Sequence, residues 1–123
     1  METPAPDTVL PLLDRLCRIR SFRLKNGGQG EQGIAEFISE FLRQFPWLTV
    51  EIEKVPTKDP SDEGFCNVFA YSGKPSEIRF LVVGHLDTVS PSGGWSVEEF
   101  SERDGRYYAL GAIDTKAGIG RVP

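Results

Sequence analysis

Ile78-Arg79-Phe80-Leu81-Val82-Val83-Gly84-His85-Leu86-Asp87-Thr88-Val89 is the stretch on which the fold turns. A short apolar run bounded by polar residues reads as a strand buried on both faces, and β-branched Val82 and Val83 favour strand over helix. Gly84 lets the backbone turn or approach a neighbour closely, and the only histidine of the sequence follows it. In an extended chain, positions i and i+2 project to the same side, so His85 and Asp87 are expected to share one side of the strand's carboxyl end. Open α/β sheets place their ligands at that end. A neutral imidazole nitrogen can coordinate zinc, and a carboxylate beside the ring fixes its orientation and tautomer while raising its basicity. A lone His-x-Asp also occurs as a plain cap on a backbone carbonyl, so the pair alone leaves metal site and packing as open alternatives.

Composition narrows the class. The chain has 123 residues, with 39% hydrophobic and 26% charged content, values of an ordinary globular protein rather than a disordered or fibrous one. Net charge is −4 with lysines and arginines scattered, which excludes a basic nucleic-acid footprint. Met1 to Asp7 lacks the basic start and apolar core of a signal peptide, and no apolar segment is long enough for a membrane span, so a cytoplasmic location is expected. Cys17 and Cys66 lie far apart in sequence, without the spacing of a zinc knuckle or redox pair, and read as reduced, partly buried thiols.

Working outward, Asp7 or Thr8 can cap a first helix to about Arg20, with Val9, Leu12, Leu13, Leu16 and Ile19 on one stripe and Pro11 near its first turn. A second helix is expected from about Glu31 to Phe45, with Ile34, Phe37, Ile38, Phe41 and Leu42 at helical spacing and Pro46 closing it. Between them, Gly28-Gln29-Gly30-Glu31-Gln32-Gly33 matches G-x-G-x-x-G, and Glu53 stands 20 residues after Gly33, as in a dinucleotide fingerprint. That fingerprint works only when its glycines follow a strand. Here they follow a helix, so they read as a mobile connector. Leu48 to Lys54 alternates as a half-buried strand, and Phe65 to Tyr71 forms another around Val68 and Phe69. Two helices followed by strands point to a layered α/β sheet with some parallel pairing. Beyond Val89, Trp95 and Phe100 read as aromatic anchors packing a loop onto the sheet, and Asp104-Gly105 signals a hairpin. Asp114 falls at a helix start, able to cap it or to bind a cation.

Taken in order, Gly84-His85-Leu86-Asp87-Thr88-Val89, then Trp95 and Phe100, then Asp104-Gly105-Arg106-Tyr107-Tyr108, then Leu110-Gly111-Ala112-Ile113-Asp114-Thr115-Lys116 resemble a family of dinuclear-metal amide hydrolases. That family includes acetylornithine deacetylase, succinyl-diaminopimelate desuccinylase, aminoacylases and glutamate carboxypeptidases. The resemblance covers most of the chain from Phe65 onward and fits the two leading helices more loosely. It implies a three-layer α/β/α zinc-peptidase-like domain holding two zinc ions, with cobalt or manganese as substitutes. It further implies that His85 ligates one metal, that Asp114 bridges both, and that Asp87 serves catalysis by orienting the imidazole. Lys116 matches a position the family often fills with lysine, and no catalytic role is assigned to it. The implied reaction is hydrolysis of amide bonds in N-acyl amino acids or small peptides, with no nucleic acid or membrane partner and a homodimer as the full-length form.

Departures from the family pattern are as informative. The family's general base lies in a Glu-Glu pair after the Asp-x-Lys segment, and further carboxylate and histidine ligands come later. Here no such pair follows Asp114, and Glu98-Glu99 precedes it in the wrong order. The inserted dimerisation domain is also missing. Residues 1–123 are therefore expected to be an N-terminal portion, truncated or frameshifted, of a longer catalytic domain, and inactive alone. Two ligands fall short of the three usual for catalytic zinc, and a missing base costs on the order of 10² to 10⁴ in rate. The alternative reading is a non-catalytic binding or assembly module that keeps half of the hydrolase fold and pairs through unsatisfied sheet edges.

Overall fold

Hydrophobic spacing of three and four residues builds the helical layer first. The computed structural model describes residues 9–62, 64–93, 95 and 100–120. Helix α1 (Val9–Arg18) buries Leu12, Leu13, Leu16 and Cys17. The expected cap at Asp7 or Thr8 lies outside the described residues. Helix α2 (Gln32–Leu42) buries Ile34, Ala35, Ile38, Ser39 and Phe41. The two stripes meet in one cluster of Leu12, Leu16, Ile34, Ile38, Phe41 and Phe45. Leu16 and Ile34 are fully enclosed there, each worth roughly 1.5–3 kcal/mol of transfer free energy. Helix α2 ends before the expected Phe45, whose ring nevertheless stays in the core, edge-on to Phe41 at 5.8 Å and to Trp47 at 5.2 Å.

Strands β1 (Thr49–Val55) and β2 (Phe65–Tyr71) pair antiparallel, in register from Thr49 opposite Tyr71 to Val55 opposite Phe65. A hairpin of β3 (Ser101–Arg103) and β4 (Arg106–Tyr108) forms a second ladder. Its turn residues Asp104 and Gly105 both have positive φ, 51° and 71°, the backbone a two-residue type I′ turn requires. Among the described residues both ladders are antiparallel, so the expected parallel pairing is not seen. Strand β1 is wetter than its alternation predicts, with Ile52 36% exposed, because α2 covers the two-stranded ladder only in part. Phe100 stacks on Tyr107 at 5.2 Å and packs beside Leu13, Cys17 and Ala109. Trp95 stays 43% exposed and anchors less than expected.

The decisive correction concerns residues 78–89. The segment joins no ladder, and Phe80, Leu81, Val82 and Val83 are 89%, 83%, 68% and 81% exposed instead of buried on both faces. A strand hidden on both faces needs neighbours along its edges and a layer on each side, and β2 already spends one edge on β1. Leu86 packs against the helical core, and an apolar cleft of about 330 Å³ lies between Val82 and Val83 on one side and Leu12, Phe41 and Val68 on the other. The described elements thus make a partial α/β domain, helices against small antiparallel sheets. No described helix is long and apolar enough to cross a membrane.

Candidate functional site

The site is assembled at the exit of α1. There the chain wraps around Phe22, which is 2% exposed, through N–H bonds from Gln29 to the Arg20 carbonyl (2.8 Å), Gly28 to Arg23 (3.1 Å) and Gly30 to Phe22 (3.0 Å). A Cβ on Gly28 would stand 2.0 Å from the Phe22 carbonyl oxygen. The glycine run is therefore a tight wrap around an aromatic ring, not the mobile connector expected. Glu53, the other half of the nucleotide coincidence, accepts a 2.9 Å bond from the Asn67 side-chain amide across the ladder. Glu31 opens α2, its carboxylate accepting the Cys66 N–H at 2.9 Å.

Two segments meet on this exit. Thr88 is buried and its N–H points to the Ser21 carbonyl at 3.4 Å, which sets Asp87 and His85 just before it. From the other side comes an irregular turn, Ala112–Lys116, followed by a short helix α3 (Ala117–Ile119). Gly111 opens that turn with φ 74°, so close to Thr88 that a Cβ would lie 2.3 Å from its Cγ2. The Lys116 N–H closes the turn on the Gly111 carbonyl at 3.1 Å. The Lys116 side chain, 2% exposed, donates to the Ile19 carbonyl at 2.8 Å. Asp114 is thereby held at the crest of the turn, its carboxylate 87% exposed, and it makes no cap to α3.

His85, Asp87 and Asp114 occupy one small volume. The His85 Nδ1 lies 3.0 Å from the Asp87 carbonyl oxygen and 3.2 Å from its Oδ1, while Nε2 lies 2.8 Å from Asp114 Oδ1. A carbonyl oxygen only accepts, so Nδ1 carries the proton. Nε2 of that neutral tautomer would then point a lone pair at a carboxylate oxygen. No neutral imidazole satisfies both contacts: either the ring is protonated, or Nε2 and Asp114 share a cation. The hydrogen bond to Asp114, followed by the Asp87 contacts, holds the His85 pKa above its ordinary value against the opposing effect of burial.

The donor set fits a metal in the second alternative, with an imidazole nitrogen and a carboxylate oxygen facing each other and a carbonyl fixing the opposite ring nitrogen. Among the described residues no three histidine, cysteine, aspartate or glutamate side chains are placed to hold an ion; His85 Nε2 and Asp114 are the two groups that could hold one, with Asp87 against the opposite ring nitrogen. A cavity of about 340 Å³ borders Asp87 and is lined by Ser21, Arg23, Glu31 and Phe65. Burial first, then the proximity of Asp87, pushes the Glu31 pKa up, against the Cys66 N–H and His85. Sequence reasoning missed the roles of Glu31, Thr88 and buried Lys116. The one signal available for Lys116 was its place two residues after Asp114, and burial of a lysine is not visible in a sequence.

Comparison with known proteins gives an independent line. Over 110 residues the chain is 33% identical to succinyl-diaminopimelate desuccinylase of Nautilia profundicola, a match covering 88% of this chain and 27% of that protein. It is 34% identical over 92 residues to a probable carboxypeptidase of Aspergillus terreus (72% of this chain, 21% of that protein). With a peptidase M20 domain-containing protein of Schizosaccharomyces pombe it shares 26% identity over 116 residues (94% of this chain, 26% of that protein). The chain spans about a quarter of the length of these curated relatives. No family model matches it, and no solved structure matches it significantly.

Proposed function

The chain belongs to the M20 peptidase family, and on that premise we propose that it forms part of a metal-dependent hydrolase cleaving amide bonds of N-acyl amino acids or small peptides. The observation that carries the proposal is the His85 ring with an oxygen acceptor at each nitrogen, 3.0 Å from the Asp87 carbonyl and 2.8 Å from Asp114. His85 Nε2 and Asp114 would hold a divalent cation, zinc by choice and cobalt or manganese as substitutes. When bound, the ion supplies polarisation of the substrate carbonyl and a more acidic water. The protein's part is orientation. Asp87 accepts the hydrogen bond from Nδ1–H, keeps Nε2 directed at Asp114 and raises the ring's basicity. His85 and Asp114 both open to solvent, which leaves the site accessible to a substrate.

Residues 1–123 are proposed to be the N-terminal part of a three-layer α/β/α catalytic domain, with residues 78–89 as an inner strand. The exposure of Phe80, Leu81, Val82 and Val83 supports this, since four consecutive apolar residues are rarely left in water without a layer to meet them. The general base and further ligands would then lie outside these residues, and the chain alone would be nearly inactive.

Calorimetric titration with zinc tests the proposal. The chain should bind weakly, His85→Ala and Asp114→Ala should abolish binding, and Asp87→Asn should weaken it about 10- to 100-fold, the usual effect of losing a group that orients a ligand. Undiminished binding in both ligand variants would end the proposal. Hydrolysis of N-acetyl amino acids by the zinc-loaded chain at ordinary enzyme rates would end its second half.

A further inference from the structure

We propose that Lys116 is the positioning residue of this site, a buried strut that sets Asp114 against His85. The inference rests on reading His85 and Asp114 as metal ligands, and its own support is geometric. Lys116 is 2% exposed, an uncommon place for an ammonium group. Its Nζ donates to the carbonyl of Ile19, 97 residues away in sequence, at 2.8 Å. Its own N–H closes the turn on Gly111 at 3.1 Å. Asp114, by contrast, has an 87% exposed carboxylate, so packing around the side chain does little to place it. Apart from its contact with His85, the turn does that, and the turn is pinned at both ends: by Gly111 against Thr88, and by Lys116 against the Ile19 carbonyl just past α1.

The opposite ligand hangs from the same short stretch of backbone. Thr88, three residues after His85, directs its N–H to the Ser21 carbonyl at 3.4 Å, two residues beyond the carbonyl that holds Lys116. Ile19 and Ser21 thus act as a common bracket for both segments that bear ligands. Removing the lysine's donor frees one arm of the bracket and leaves the other in place. An ammonium is suited to this task because it reaches a carbonyl through a long apolar stem while its charge strengthens the hydrogen bond.

The test is Mn²⁺-induced broadening of amide signals in the isotopically labelled 123-residue chain. In the wild type, amides near His85 and near Asp114 should broaden together as Mn²⁺ is added. In Lys116→Met, broadening around Asp114 should require about 10- to 100-fold more Mn²⁺, the range found when a group that orients a ligand is removed, while the dispersed signals of the α1 and α2 core stay unchanged. Lys116→Arg, which keeps a cationic donor, should restore much of the effect. Wild-type broadening in Lys116→Met would overturn the inference. If the Met variant does not fold, Lys116→Gln, uncharged and one atom shorter, decides in the same way: weakened broadening near Asp114 supports the strut and wild-type broadening refutes it. His85→Ala and Asp114→Asn separate the two readings. Broadening unchanged in both refutes the metal site itself, whereas broadening lost in both but retained in Lys116→Met refutes only the role of the lysine.

Discussion

Replacing Gly111 with alanine tests how the Asp114 turn is seated. Gly111 has φ 74°, and an added Cβ would stand 2.3 Å from Thr88 Cγ2, with its next neighbours at an ordinary 3.5 Å. Two costs combine. The left-handed backbone costs a residue bearing a Cβ about 1–2 kcal/mol, and the overlap with Thr88 adds about 1–3 kcal/mol of overpacking. Only the second depends on the Thr88 methyl. Thr88→Ser removes that methyl at a cost of about 0.5–1.5 kcal/mol for the lost buried group. In the double variant the overlap disappears, leaving the backbone cost and the cost of the lost methyl. The two substitutions should therefore be non-additive, the double variant more stable than the sum by about 1–3 kcal/mol. Urea unfolding of the four proteins, followed by circular dichroism, measures this directly. Additivity within about 0.5 kcal/mol would show that the turn does not rest on Thr88.

Two further predictions concern groups away from the ligands. Burial pushes the Cys17 thiol up to about 11, which leaves only about one part in a thousand as reactive thiolate at pH 8; Ellman's reagent should spare Cys17 in the folded chain and react with both thiols in urea, and rapid native labelling of Cys17 would contradict its placement. Glu31, raised chiefly by burial, has its folded pKa above the unfolded value, so its favourable contribution is complete below the unfolded pKa and is lost as pH rises through the folded one. Glu31→Gln keeps an acceptor for the Cys66 N–H without the charge, and its urea midpoint should gain on the wild type from pH 4 to 7; a constant difference across that range would refute the assignment.

Local chemistry was legible and tertiary placement was not. Strand β2 runs over Phe65–Tyr71 as expected, and α1, α2 and the Asp104-Gly105 hairpin lie within a few residues of their expected bounds, because periodicity and turn residues act over a single element. The segment around Val82 and Val83 is different. Its composition records a preference for burial, but the neighbours that would provide burial are a property of the assembled fold, and here those side chains meet water. The glycines at 28 and 30 mislead for a related reason: flexibility in the unfolded chain looks the same as room for Phe22 in the folded one. At the site, His85 and Asp114 stood out by residue type and order, whereas the Lys116 tether spans 97 positions and no local pattern announces it.

The β1–β2 ladder has seven paired positions, yet Cys66 is the only buried residue in it. Its amides are bonded to one another across a ribbon that little apolar surface holds down. Such a ribbon should open by itself, without the helices. Hydrogen–deuterium exchange should consequently rank the ladder well below α1 and α2 in protection, with Ile34 and Ile38 the last amides to exchange.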